Sequence, residues 1–119
     1  MRLLLADDNA MNVELFTAAL DGYDVVVARD GRQALERALE QRFDLILLDI
    51  QMPGLDGYDV CRALRAKGLK TPIVALTASA MPSDVTKGHA AGFDAYLTKP
   101  ISPHDLLSAV RSHTPRSAA

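Results

Sequence analysis

Five short runs in the chain are apolar at consecutive positions rather than at alternate ones: Leu3 to Ala6, Val25 to Ala28, Leu45 to Leu48, Ile73 to Leu76 and Ala95 to Leu97. A strand with one wet face alternates, whereas a strand covered on both faces does not, so these runs predict a parallel sheet held between two layers of helix. The stretches between them carry the complementary pattern. Ala34, Leu35, Ala38 and Leu39, like Val60, Cys61 and Leu64, recur at the spacing of an amphipathic helix. Asp30 with Gln33, and Ser102 with Pro103 and Asp105, have the form of helix starts, and Gly68 and Gly92 fall where the third and fourth helices should stop. Strand followed by helix, five times over, makes neighbouring strands parallel. The expectation is an α/β fold, a doubly wound (βα)5 unit with a five-stranded parallel sheet, in which Leu45 to Leu48 is the most buried strand.

At 119 residues, 49% of them hydrophobic and 24% charged, the chain is long enough for one core without disulfides. One domain is expected over residues 1–113, with 114–119 as a tail or linker. Met1 stands close before the first strand, so any output domain is expected in another chain or in a longer parent protein. Thirteen Lys and Arg against 15 Asp and Glu leave a formal charge of -2 with no block of like charge, which argues against nucleic acid as a partner. Cys61 has no partner for a disulfide, and neither a bilayer-length apolar run nor a secretory leader is present, so a cytoplasmic protein without membrane contact is expected.

In doubly wound sheets ligands bind beyond the carboxyl ends of the strands. Here the first strand ends in Asp7-Asp8, the third in Asp49, the fourth in Thr77 and the fifth in Lys99-Pro100. If the strand order is 2-1-3-4-5, the three carboxylates converge on one pocket. Like charges a few ångströms apart disfavour ionisation, so an ionised trio implies a bound cation, and Mg²⁺ suits an all-oxygen set that keeps room for a phosphate. Thr77 adds a hydroxyl and Lys99 a positive charge, both suited to the oxygens of a phosphoryl group in transfer. A carboxylate can itself take that group as an aspartyl phosphate. These residues alone do not decide which of the three reacts.

Together, Asp7-Asp8-Asn9, the segment Asp49-Ile50-Gln51-Met52-Pro53-Gly54-Leu55-Asp56-Gly57, the run Ala75-Leu76-Thr77-Ala78 and Tyr96-Leu97-Thr98-Lys99-Pro100 resemble the receiver domains of two-component signalling, from Leu3 to about His113. The resemblance implies the flavodoxin-like order 2-1-3-4-5, which periodicity does not fix. It implies Asp49 as phosphoacceptor and Mg²⁺, with Mn²⁺ as a substitute, on Asp7 (through water), Asp8, Asp49 and the backbone carbonyl of Gln51. Thr77 and Lys99 would bind the phosphoryl oxygens, and the Lys99-Pro100 bond would be cis, aiming Lys99 into the pocket. Thr77 and Tyr96 would form the switch, with Tyr96 swinging inward and repacking the surface of the fourth helix, fifth strand and fifth helix. Gln51 and Ser79 occupy the positions that tune phosphate lifetime. The implied partners are a histidine kinase, a histidine phosphotransfer protein or a small phosphodonor. The flanking residues look most like hybrid-kinase receivers or single-domain regulators, signalling modules that promote only their own phosphorylation and dephosphorylation.

Plainer readings compete. Asp7-Asp8 could cap the first helix, Thr77 could simply end a strand, and Tyr96 could be a core aromatic. Cys61 reads as a small core residue, His89, His104 and His113 as surface, and Met11, Met52 and Met81 as packing or loop residues. A phosphatase of the haloacid-dehalogenase type would need a second Asp where Gln51 stands. A flavin carrier would need a Ser-, Thr- and Gly-rich first loop in place of Asp7-Asp8-Asn9. A pseudo-receiver that binds without phosphotransfer is the remaining alternative.

Overall fold

The computed structural model describes residues 1–78 and 81–113, without the side chains of 82–84; Ser79 and the expected tail, 114–119, lie outside the described residues. Strands and helices alternate as β1 (Arg2–Ala6), α1 (Ala10–Ala19), β2 (Asp24–Ala28), α2 (Gly31–Glu40), β3 (Leu45–Asp49), α3 (Gly57–Ala66), β4 (Ile73–Thr77), α4 (Pro82–Ala91), β5 (Ala95–Thr98) and α5 (Pro103–His113). The sheet runs β2-β1-β3-β4-β5, with every pair parallel.

Within each strand successive side chains serve opposite layers. Leu3, Leu5, Leu45, Leu47, Val74 and Leu76 pack against Phe16 of α1, Leu20 just after it, and Leu106 and Val110 of α5. Leu4, Ala6, Ile46, Leu48, Ile73 and Ala75 pack on the other face against Ala34 and Ala38 of α2, Val60, Cys61 and Leu64 of α3, and Ala91 of α4. This double coverage explains why the runs do not alternate in sequence. Leu45 to Leu48 is fully buried, as expected, and Ile73 to Leu76 of β4 is equally so, because β4 too has a strand on either side and helices on both faces.

The helix boundaries follow local chemistry. Asp30 caps α2 by accepting from the Gln33 amide at 2.8 Å, while Gln33 Oε1 accepts from the Arg29 amide at 3.0 Å. Ser102 Oγ accepts from the Asp105 amide at the start of α5. Gly92 ends α4 with φ 108°, a left-handed conformation that costs glycine little and other residues much.

At the end of the sheet away from the strand carboxyl termini, Arg65 of α3 ties several segments together. Its guanidinium donates to the carbonyls of Leu69, Thr71 and Gly92 and to Asp94 Oδ2 at 2.8–3.1 Å, and Asp94 Oδ2 also accepts from the Ile73 amide at the start of β4. Only 23% of the Arg65 side chain is exposed. Truncating it strands several carbonyls and a carboxylate, so Arg65→Ala is expected to lower unfolding free energy by roughly 2–4 kcal/mol. A chemical-denaturation midpoint equal to that of the parent would rule this role out.

Candidate functional site

The register of the sheet assembles the polar residues. Ala6 pairs with Leu48 across β1 and β3, and Asp49 pairs with Leu76 across β3 and β4, so the residues leaving β1, β3 and β4 emerge side by side. Thr77 pairs with Thr98 on β5, which brings Lys99 to the same rim. The Lys99-Pro100 peptide bond is cis.

Asp7 is 0% exposed and Asp49 2% exposed, while Asp8 stands in solvent. One carboxylate oxygen from each of the three lies within 4.8 Å of the others. Lys99 Nζ donates to Asp49 Oδ2 at 3.0 Å and stands 3.8 Å from Asp7 Oδ2. The remaining Asp49 oxygen, Oδ1, accepts from the Gln51 amide at 3.1 Å, and Asp7 Oδ1 accepts from the Asn9 amide at 2.9 Å. Asp7 Oδ2 is buried and has no hydrogen bond among the described residues.

The capping reading of the acid pair does not hold. Asn9 is the N-cap of α1, its side chain accepting from the Asn12 amide at 3.1 Å. Asp7 and Asp8 are thus left to face the pocket and solvent. The floor of the pocket is close-packed, because a Cβ on Gly57 would fall 2.7 Å from both the Asp49 carbonyl oxygen and Ile50 Cα. Gly57 lets the first turn of α3 sit against the end of β3, and the Gly57 amide donates to the Ile50 carbonyl at 2.8 Å. In the sequence Gly57 stands out only as part of a motif; the Asp-Gly pair at a helix start is the signal that points to it.

The other singled-out residues fall where packing puts them. Thr77 is 7% exposed at the end of β4, Gln51 is exposed in the β3–α3 loop, and Tyr96 is half-buried on β5. Cys61 is fully buried, and burial pushes its thiol up to about 11, which disfavours the thiolate. His89 and His104 are exposed and His113 half-buried. Met11 and Met81 lie in solvent, whereas Met52 packs in the core.

The electrostatics are those of a site short of positive charge. Burial pushes the Asp49 carboxyl up from 3.8 to about 6, against the opposing pull of the Lys99 hydrogen bond and charge, and Asp7 adds repulsion. A folded-state pKa above the unfolded one means that the folded state binds more protons. The stability it contributes is complete below 3.8 and disappears as the pH rises through about 6. In chelator, wild type is therefore expected to lose roughly 2–3 kcal/mol relative to Asp49→Asn as the pH is raised from about 4 to about 7. Parallel denaturation profiles for the two proteins over that range would contradict this. The Asp7 oxygen without a hydrogen bond among the described residues and the convergent carboxylates together fit a hard divalent cation with oxygen ligands.

Comparison with known proteins agrees with this geometry. Residues 3–111 match the model of the response regulator receiver domain. Over 118 residues the chain is 44% identical to the DNA-binding response regulator MtrA of Mycobacterium tuberculosis, covering 98% of this chain and 51% of that protein. The chain thus spans about half the length of the curated relatives it matches. Among solved structures it is similar to the chemotaxis protein CheY4 of Vibrio cholerae, with TM-score 0.89, 34% identity, and coverage of 94% and 97% of the two chains. It is also similar to the receiver domain of the sensor histidine kinase PA1611 of Pseudomonas aeruginosa, with TM-score 0.86, 39% identity and coverage of 94% and 95%. That structure carries a magnesium ion coordinated in its active site cleft.

Proposed function

The chain belongs to the response regulator receiver domain family, and we propose that it takes a phosphoryl group onto Asp49, the step by which a signal would enter it. The observation that carries this reading is the 3.0 Å contact of Lys99 Nζ with the buried Asp49 carboxylate, beside an Asp7 oxygen with no hydrogen bond among the described residues. With its carboxyl at about 6, Asp49 is mostly ionised at neutral pH yet poorly solvated, a combination that favours nucleophilic attack.

In the proposed step a carboxylate oxygen of Asp49 attacks the phosphorus of a phosphohistidine or a small acyl phosphate. The new O–P bond forms as the donor's bond to phosphorus breaks, and the donor leaves with the electron pair. Lys99 and Thr77 stabilise the phosphoryl oxygens from the β4 and β5 side. Asp7, Asp8, Asp49 and the Gln51 carbonyl would hold Mg²⁺, or Mn²⁺ in its place. When bound, such an ion neutralises charge on the phosphoryl oxygens and on the carboxylates that face them.

The rest of the reading follows the family. Residues 1–113 form the receiver, a signalling module rather than an enzyme acting on a separate substrate. Its phosphodonors are a histidine kinase or histidine phosphotransfer protein. Thr77 and Tyr96 transmit the change to α4, β5 and α5, while Gln51 and Ser79 tune phosphate lifetime. The cytoplasm is the proposed location; no helix among the described residues is long and apolar enough to cross a membrane. Nucleic-acid contact by this stretch is not proposed, given its charge of -2.

Intact mass after incubation with acetyl phosphate tests the proposal. A Mg²⁺-dependent, base-labile gain of one phosphoryl group is expected. No gain with either Mg²⁺ or Mn²⁺ would make the chain a pseudo-receiver.

A further inference from the structure

Gly88 lies in the middle of α4, buried against the sheet, where glycine weakens a helix relative to alanine. It is not among the glycines with positive φ, so the backbone does not require it. Space does. A Cβ built on Gly88 would coincide with the hydroxyl of Tyr96 and stand 3.0 Å from ring carbon Cε1. The phenol of Tyr96 therefore occupies the volume that any other residue at position 88 would fill.

Three further contacts fix the ring there. Its hydroxyl donates to the Val85 carbonyl at 3.1 Å, one turn earlier in α4. Its ring centroid is 5.9 Å from those of His89 and Phe93. Phe93 in turn meets Tyr58 edge-on at 6.0 Å, and Lys87 Nζ of α4 lies 4.4 Å above the Tyr58 ring. Tyr58 follows Gly57, the residue packed against the end of β3 at Asp49. The Tyr96 ring thus belongs to a row of rings that begins beside the phosphoacceptor loop at Tyr58, passes through Phe93 and ends at His89 of α4.

We infer that Gly88 is the receptacle of the tyrosine switch: its missing side chain makes the room in which the Tyr96 phenol docks beneath α4, so helix position and tyrosine rotamer change together. Gly88 is a positioning residue and touches no reacting atom. The inference rests on the receiver reading for the meaning of the switch, but not for the existence of the slot. With Ala at position 88 the ring is driven out of the slot or α4 is lifted from the sheet. Either way the two cease to form one two-state element.

Two measurements on the full chain test this. The first is thermal melting of wild type, Gly88→Ala, Tyr96→Ala and the double variant. Gly88→Ala is expected to lower the melting temperature when Tyr96 is present and to raise it in the Tyr96→Ala background, where only the helix preference for alanine remains. A shift of the same sign in both backgrounds would overturn the slot. The second is ¹⁹F NMR of 3-fluorotyrosine-labelled protein, which has three tyrosines, with Tyr96 assigned from Tyr96→Phe. Spectra are taken with and without Mg²⁺ and beryllium fluoride, using a soluble gadolinium chelate to report exposure. Wild type should show a protected Tyr96 signal, and Gly88→Ala should lack it in both conditions. A protected Tyr96 signal in Gly88→Ala, or none in wild type under either condition, would sink the inference. Failure of wild type to bind beryllium fluoride would count against the phosphoacceptor reading alone, because the melting cycle decides the slot without it.

Discussion

Asp49→Asn is expected to gain no mass from acetyl phosphate and Mg²⁺ under conditions that fully modify wild type, and to unfold at higher temperature than wild type in chelator near neutral pH. Both results come from one carboxylate. Asparagine keeps the size and shape of the side chain, so the pocket retains its packing, but an amide oxygen does not form a stable phosphoryl ester. The stability gain has the opposite sign to most substitutions of buried residues. The ordinary 3.8 and the folded-state value of about 6 differ by about two units, or about 3 kcal/mol of disfavoured ionisation at neutral pH. Asparagine removes that cost but also removes the negative charge 3.0 Å from Lys99, leaving the ammonium the longer 3.8 Å ion pair with Asp7. A net gain of roughly 1–2 kcal/mol is the expected balance. Full phosphoryl uptake by the variant would move the acceptor to another residue, and a lower melting temperature than wild type would show that Lys99 more than compensates the buried charge.

Much of this site is legible in the amino-acid sequence, because a sheet covered on both faces leaves few places for polar groups. In β1, β3 and β4 every residue from Leu3 to Ala6, Leu45 to Leu48 and Ile73 to Leu76 is fully buried, so the first polar residue after each run marks the rim of the candidate site. Asp7, Asp49 and Thr77 stand out in that way. Residues whose role depends on distant partners do not. Arg65 has helical spacing and a charge, which reads as a solvated surface position, yet its partners lie 4 to 29 residues away and include three carbonyl groups. Gly88 reads as a poor helix former, since its partner Tyr96 sits on the next strand. Strand order is likewise a matter of long-range pairing, and family resemblance rather than periodicity supplies it. Asn9 takes the cap that Asp7-Asp8 could have filled because the chain leaves β1 two residues too early for Asp7 to face the first turn of α1.

Lys99→Ala should leave phosphoryl uptake in place but slow it on the order of a hundredfold, and, opposite to Asp49→Asn, should make the metal-free protein less stable than wild type. The Lys99 side chain is 25% exposed, and its ammonium lies within 4 Å of the buried carboxylates of Asp7 and Asp49. Its hydrogen bond and charge are the largest influences holding the Asp49 carboxyl down against burial, so without them that carboxyl rises further above about 6. Removing one partner of a buried pair costs more than the pair contributes, because the other charge stays buried. A loss of roughly 2–3 kcal/mol near neutral pH is expected, shrinking as the pH is lowered and Asp49 protonates. The ammonium also repels any cation held by the same oxygens. Deleting it should therefore make Mg²⁺ bind more tightly and raise the melting temperature of Lys99→Ala by more than that of wild type at equal concentration. Equal Mg²⁺-induced shifts in the two proteins would mean that lysine and metal do not share the carboxylates, and the metal would then have to be sought away from Asp7 and Asp49.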